Sequence, residues 1–218
     1  MTNKSYHQYC AIAHALDTVG DRWTLLIVRN LLFAPKRFVD LMRGLPGIST
    51  NILTERLKLL EERAVVTTRY LPPPAATSVY TLTEKGGALA DVLAALARWG
   101  SLTLGDPQAD QFFVTEAISF MIVGMFRRQR PFPGHLSINI LVQDTLYSHS
   151  FSVMLGTDGI SMAETPVDHA DLTLILPLAT LALLSSQRAR IRDALAENGV
   201  RAEGVPAALQ AVITWVDS

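Results

Sequence analysis

Ser-Thr-Asn-Ile-Leu-Thr-Glu-Arg-Leu-Lys-Leu-Leu-Glu-Glu, residues Ser49–Glu62, is the stretch on which the reading of this chain turns. It follows Pro46-Gly47-Ile48, which reads as a turn, and Ser49 is of the type that caps a helix N-terminus. At about 100° per residue, Leu53, Leu57 and Leu60 form one apolar stripe. Asn51, Glu55, Lys58 and Glu62 point the opposite way, with Thr54 between. Hydroxyls, an amide and an ammonium on the N-terminal half of a helix suit the edges of bases in a major groove. Taken alone, the same pattern fits any amphipathic helix with a solvated face. The flanking sequence decides between the two.

Upstream, Cys10–Val19 carries Ile12, Ala13, Leu16 and Val19 at helical spacing and stops at Gly20. Asp21 is placed to cap the next helix, Arg22–Phe33, which Ala34-Pro35 breaks. Lys36–Arg43 is a short third helix ended by Gly44. A short helix, a tight turn and the Ser49 helix make a helix-turn-helix. Downstream, Val65–Leu71 and Ser78–Leu82 are rich in Val, Thr and Tyr and read as a hairpin, with the prolines of Pro72–Thr77 at its tip. A hairpin directly after the second helix is the winged variant. Thr83-Glu84-Lys85-Gly86 then starts a long helix to Trp99, with Leu89, Val92, Leu93, Leu96 and Trp99 along one side.

The run from Cys10 to Arg29, then Lys36-Arg37-Phe38, Leu45–Leu57 and Tyr80–Gly86, resembles the HxlR family of bacterial transcription regulators, in order and with fitting spacing. The resemblance implies a winged helix-turn-helix that binds double-stranded DNA as a homodimer, with Leu89, Val92, Leu93, Leu96 and Trp99 at the dimer seam. It implies that Ser49, Thr50, Asn51, Thr54 and Lys58 face the major groove, with Arg37 and Arg43 near phosphates. The wing tip carries no Lys or Arg; the nearest cation is Arg69, whereas a wing that enters the minor groove usually inserts one. Cys10 matches a position where some members resemble thiol sensors, and a helix N-terminus favours thiolate. The alternative for Cys10 is a small buried hydrophobe.

In the second half, Phe112–Arg128 follows a helical period and closes on Arg127, Arg128 and Arg130, as the helix dipole favours. Residues 136–142, 147–155, 160–163 and 172–176 alternate apolar and polar and read as strands of one antiparallel sheet with one buried face. Helices follow over Pro177–Leu184, Arg188–Asn198 and Pro206–Val216. The layout of about Phe112–Trp215 is similar to the sterol-carrier-protein-like fold. That likeness implies an apolar cavity, for which Phe120, Met121, Phe126, Phe151 and Met154 are candidate walls; each of them also suits an ordinary core.

The fold class is therefore α+β: a winged helix-turn-helix over residues 1–105, then a small sterol-carrier-like α+β domain over residues 106–218. Charge divides in the same place. Residues 1–105 hold 12 Lys/Arg against 8 Asp/Glu, a net +4, and residues 106–218 hold 7 against 12, a net −5. The single cysteine excludes an intrachain disulfide and fits a reducing cytoplasm. The most apolar run, Leu172–Leu184, is broken by Pro177 and is shorter than the roughly 20 residues a bilayer requires. No nucleophile–base pair, metal-ligand spacing or phosphate-cradling glycine loop stands out, so neither an enzyme, a metal nor a cofactor is expected. The leading reading is a regulator whose second domain senses a small apolar ligand. One alternative is a thiol-based regulator acting through Cys10. The other is a lipid carrier whose winged helix no longer binds DNA.

Overall fold

A computed structural model describes residues 5–105, 108, 110–126, 131–145, 147–197 and 199–217. The cations at 127, 128 and 130, expected to close a helix, lie outside the described residues. The chain divides into two compact units: Met1–Ala95 with Val114–Ala117, and Leu96–Phe113 with Ile118–Ser218.

The first unit holds helices α1 (Ala11–Val19), α2 (Thr24–Leu31), α3 (Phe38–Arg43) and α4 (Thr50–Glu62), the hairpin β1 (Val66–Leu71) and β2 (Thr77–Leu82), and α5 (Glu84–Gly87). Ser49 caps α4, its hydroxyl accepting from the Ile52 N–H at 3.3 Å. Leu53, Leu57 and Leu60 are fully buried, each contributing about 1.5–3 kcal/mol of apolar burial. Gly47 takes φ +89, a conformation that favours glycine, where the chain turns into α4. Lys36 and Tyr80 exchange backbone hydrogen bonds at 3.0 and 2.8 Å and add a third short rung to the wing.

The expected continuous helix from Thr83 to Trp99 is interrupted at Ala88, giving α5 and then α6 (Leu89–Gly100). Two consecutive glycines there weaken the helix. Gly86 itself is required, because a side chain at that position would run into the Val65 carbonyl. Thr83 caps α5 through the Gly86 N–H at 3.1 Å, and Lys85 donates to the Arg63 carbonyl at 2.8 Å. The Thr-Glu-Lys-Gly run thereby fastens the hairpin's exit to the C-terminal end of α4.

The second unit contains α7 (Thr115–Phe126, of which Thr115–Ala117 counts with the first unit), β3 (Leu136–Gln143), β4 (Ser148–Gly156), β5 (Gly159–Ala163), β6 (Leu172–Leu176), α8 (Leu178–Ser185), α9 (Ile191–Ala196), β7 (Arg201–Gly204) and α10 (Pro206–Val216). The strands form one sheet in the order β5-β4-β3-β6-β7. The sheet is not purely antiparallel as expected: β3 and β6 run parallel, with Ile138 beside Leu172 and Val142 beside Leu176. Hydrogen bonds from the connection before β6 account for this. Asn139 exchanges two bonds with the backbone of Val167, each 2.9 Å. The Asp171 carboxylate accepts from the N–H and hydroxyl of Ser137 at 2.8 and 2.6 Å. The chain is therefore delivered to the beginning of β3 and must run alongside it in the same direction. β7 was not foreseen, since four residues without alternation carry no strand signal. Ile138, Ile140, Phe151, Val153, Leu172 and Leu174 are fully buried on one sheet face, packed with residues of α7, α8, α9 and α10.

Candidate nucleic-acid interface

The outward side of α4 is polar. Thr50, Asn51, Thr54 and Lys58 are exposed while the leucine stripe is buried beneath. The Thr54 hydroxyl donates to the Thr50 carbonyl at 2.8 Å, which leaves its oxygen as an acceptor. Lys58 lies 4.0 Å from Glu62, an exposed i,i+4 pair that is easily exchanged for another anion. Ser49 serves the helix as its cap, so its oxygen is engaged with the backbone. Glu55 stands beside Arg56, at 3.4 Å, and Arg56 also reaches Asp21 at 3.5 Å. Asp21 in turn accepts from the Trp23 N–H at 3.0 Å. The aspartate expected to cap the second helix thus holds the turn before it and ties α4 to that turn.

Arg37 and Arg43 converge on one carboxylate. Arg37 forms two bonds to Asp40, 2.8 Å through Nε and 3.1 Å through Nη2, and Arg43 lies 3.7 Å from the same group. The Arg37 bonds hold the Asp40 carboxyl below the usual carboxylate range. Arg37 thus commits two of its five N–H donors to Asp40, whereas Arg43 is largely exposed and makes only the longer ion-pair contact. Arg69 is exposed on β1, in register with Val79, and the wing tip from Pro72 to Ala76 is exposed.

A polar cluster inside the first unit had no counterpart in the sequence reading. Asn30 is fully buried, accepting from Arg29 at 2.9 and 3.0 Å and donating to the Gly44 carbonyl at 3.0 Å. Burial lowers the Arg29 guanidinium pKa, and the Glu116 carboxylate opposes that shift. Glu116, part of the same unit, also pairs with Lys36 at 3.0 Å. The only sequence signal would have been a polar pair, Arg29-Asn30, inside an apolar helix.

Of the five residues expected at a dimer seam, Leu93 is 7% exposed and belongs to the chain's own packing. Val92, Leu96 and Trp99 are 49%, 45% and 72% exposed, and Leu89 is half-buried. Ile12 and Leu16 on α1 are likewise exposed. Cys10 is exposed in the single chain, at the N-cap of α1, and is not part of that chain's core. Its sulfur makes no hydrogen bond in capping the helix, yet the Ala13 and Ile12 N–H groups hold the thiol pKa below its ordinary value. Ahead of it, Asp17 fastens Ser5 and Tyr6 at 2.8 and 3.0 Å.

The five candidate wall residues do not share one site. Phe126 and Phe151 are fully buried in the core, Met121 packs against it, and Phe120 is half-buried. Met154 is 43% exposed and faces away from Phe151, because residues three apart on a strand lie on opposite sides. Among the described residues, no group of three or more His, Cys, Asp or Glu side chains is placed to hold a metal ion. No helix among them is long and apolar enough to cross a membrane.

A buried helical frame, a capped second helix with a polar outer side and a following hairpin define a winged helix-turn-helix protein. Residues 18–107 match the HxlR-like helix-turn-helix family model. The chain is 40% identical over 98 residues to the HTH-type transcriptional regulator YodB of Bacillus subtilis, covering 45% of this chain and 80% of that protein. It is 39% identical over 87 residues to the uncharacterized HTH-type regulator YvaP of the same organism, covering 40% and 81%. The chain belongs to the HxlR family of transcriptional regulators. Among solved structures, the reduced form of YodB aligns with 37% identity over 45% of this chain and all of that one, at a TM-score of 0.40.

Proposed function

We propose that this protein regulates transcription by binding operator DNA as a homodimer, with Thr50, Asn51, Thr54 and Lys58 of α4 in the major groove. The exposed polar side of α4 above a fully buried leucine stripe, in a chain of the HxlR family, carries the reading. Residues 1–105 form the DNA-binding and dimerisation part in this proposal, and residues 106–218 the sensing part. The second unit has a core of its own, and its layout of one sheet with helices on one face supports a sterol-carrier-like domain that takes a small apolar ligand. A ligand that favours one arrangement of the paired recognition helices changes operator affinity by its differential affinity for the two states.

The deciding experiment is a gel shift on the protein's own upstream region across a salt series. Binding that weakens steeply with salt, through counterion release, supports the reading. No shift even at low salt overturns it and leaves the carrier alternative, which a native mass spectrum with a copurified lipid would support.

A second reading is favoured by Cys10, exposed and with a lowered thiol pKa. Bacillus subtilis YodB has been solved bound to quinone and after diamide treatment. In this reading Cys10 is the sensor and residues 106–218 support assembly. Cys10→Ser separates the two: a parent that responds to diamide but to no apolar compound, with that response lost in the variant, supports the thiol sensor, whereas a response to apolar compounds that the variant keeps in full supports sensing in the second domain.

A further inference from the structure

The apolar face of the second unit's sheet ends in a histidine. Phe151, Val153 and Leu155 of β4 point into the core with essentially no exposure. His149 continues that row, opposite Val142 in the antiparallel register, and Val142 pairs with Leu176 on its other side. Its Nε2 is shut off from solvent and has no hydrogen-bond partner among the described residues. Buried polar atoms are nearly always paired, so an orphan in a native core calls for an explanation. Aromatic rings surround it. Phe151 meets the imidazole edge-on at 4.9 Å, Tyr147 lies at 6.2 Å, and Phe113 is 5.9 Å beyond Tyr147. Burial falls along this row, from Phe151, fully buried, to His149, Tyr147 and Phe113, half-buried.

We propose that this end of the core face binds a small aromatic molecule bearing a hydroxyl, with His149 Nε2 as its hydrogen-bond partner. The proposal rests on the reading that the second unit binds an apolar ligand, and it gives that ligand a chemical class. Rings set at 41–66° and roughly 5–6 Å apart follow the geometry aromatic pairs favour, and a planar guest extends the row. The polar group is a hydroxyl and not a carboxylate, since the neighbours Val142, Phe151 and Tyr147 offer no positive charge to balance an anion, and the carboxylate that accepts from the Tyr147 N–H, Asp144, would repel one. A hydroxyl both donates and accepts, so it pairs with Nε2 in either tautomer of the ring.

The test titrates the full-length protein with 2-naphthol and with naphthalene, read by naphthol fluorescence and by melting temperature. 2-Naphthol should bind about tenfold more tightly, the worth of one added hydrogen bond to an otherwise unpaired buried group. His149→Phe keeps the row of rings and should bring the two affinities within about twofold. His149→Gln keeps a hydrogen-bonding group and should retain part of the preference. Ring-nitrogen NMR of histidine-labelled wild-type protein should show the His149 signal move on saturation with 2-naphthol. An unmoved signal overturns the proposal whether or not the variants fold. Equal affinity of wild type for both probes overturns the anchor while leaving the apolar-ligand reading standing. Failure of these probes and of every other apolar compound to bind or raise the melting temperature overturns both.

Discussion

Asp40→Asn should tighten DNA binding by about two- to fivefold. In the structure Arg37 spends two hydrogen bonds on the Asp40 carboxylate, at 2.8 and 3.1 Å, and Arg43 stands 3.7 Å from it. An asparagine keeps one acceptor oxygen and no charge. The pair is an exposed i,i+3 contact on a helix, a class that holds weakly, so release of the arginines contributes a small factor. A phosphate roughly 10 Å from the lost carboxylate contributes about 0.4 kcal/mol in water before screening, and less at physiological salt. A few such phosphates together give the stated range. The assay is fluorescence anisotropy with a labelled upstream duplex and a scrambled duplex, repeated across salt concentrations. Affinity should rise on both duplexes, because phosphate contacts carry no sequence information. The salt dependence should steepen by up to about 0.9 for each newly engaged arginine. Unchanged affinity and unchanged slope, in a variant that melts as the parent does, would show that Arg37 and Arg43 only staple α3.

Asn51→Ala should cost about 1–3 kcal/mol at one base position if its amide makes a bidentate contact, whereas Lys58→Ala should weaken all duplexes alike and flatten the salt slope; parallel losses for both variants would remove the base-reading role of Asn51. Replacing exposed Leu96 and Trp99 together with Asp should yield monomers in sedimentation velocity, because each carboxylate would enter an apolar seam unpaired, while an intact dimer would place the interface elsewhere. Asp17, Asp40 and Asp171 all have carboxyl pKa values lowered in the fold, by the Tyr6 N–H, by Arg37 and by the Ser137 hydroxyl respectively. Their contribution is present in full above the unfolded value of about 3.9 and is lost as pH falls through the lower folded values. The melting temperature should therefore drop as pH falls below about 4, and a flat profile there would contradict the assigned partners.

The recognition helix was legible because everything that makes it is local. Ser49 caps it three residues before Ile52, and Leu53, Leu57 and Leu60 repeat at the helical period, so linear spacing alone separates its buried from its exposed side. The hairpin and the four longer strands were legible for the same reason, and strand alternation by itself already separates Met154 from Phe151. What the sequence left open concerns pairs distant in the chain. The direction of β6 depends on Asp171 meeting Ser137, 34 residues earlier, and the edge strand β7 exists only because β6 offers it a free row of backbone groups. Local spacing cannot say which side of the Leu89–Gly100 helix the rest of the chain covers, so Leu93 and Leu96 looked equivalent until packing buried the first and left the second exposed. Nor does sequence show that Asp40 is bonded by Arg37 and approached by Arg43, or that the alternating row on β4 closes with an imidazole whose nitrogen has no partner among the described residues. Periodicity is a property of the chain, but the partner of a charge or of a buried polar atom is set by where the folded backbone brings distant residues together.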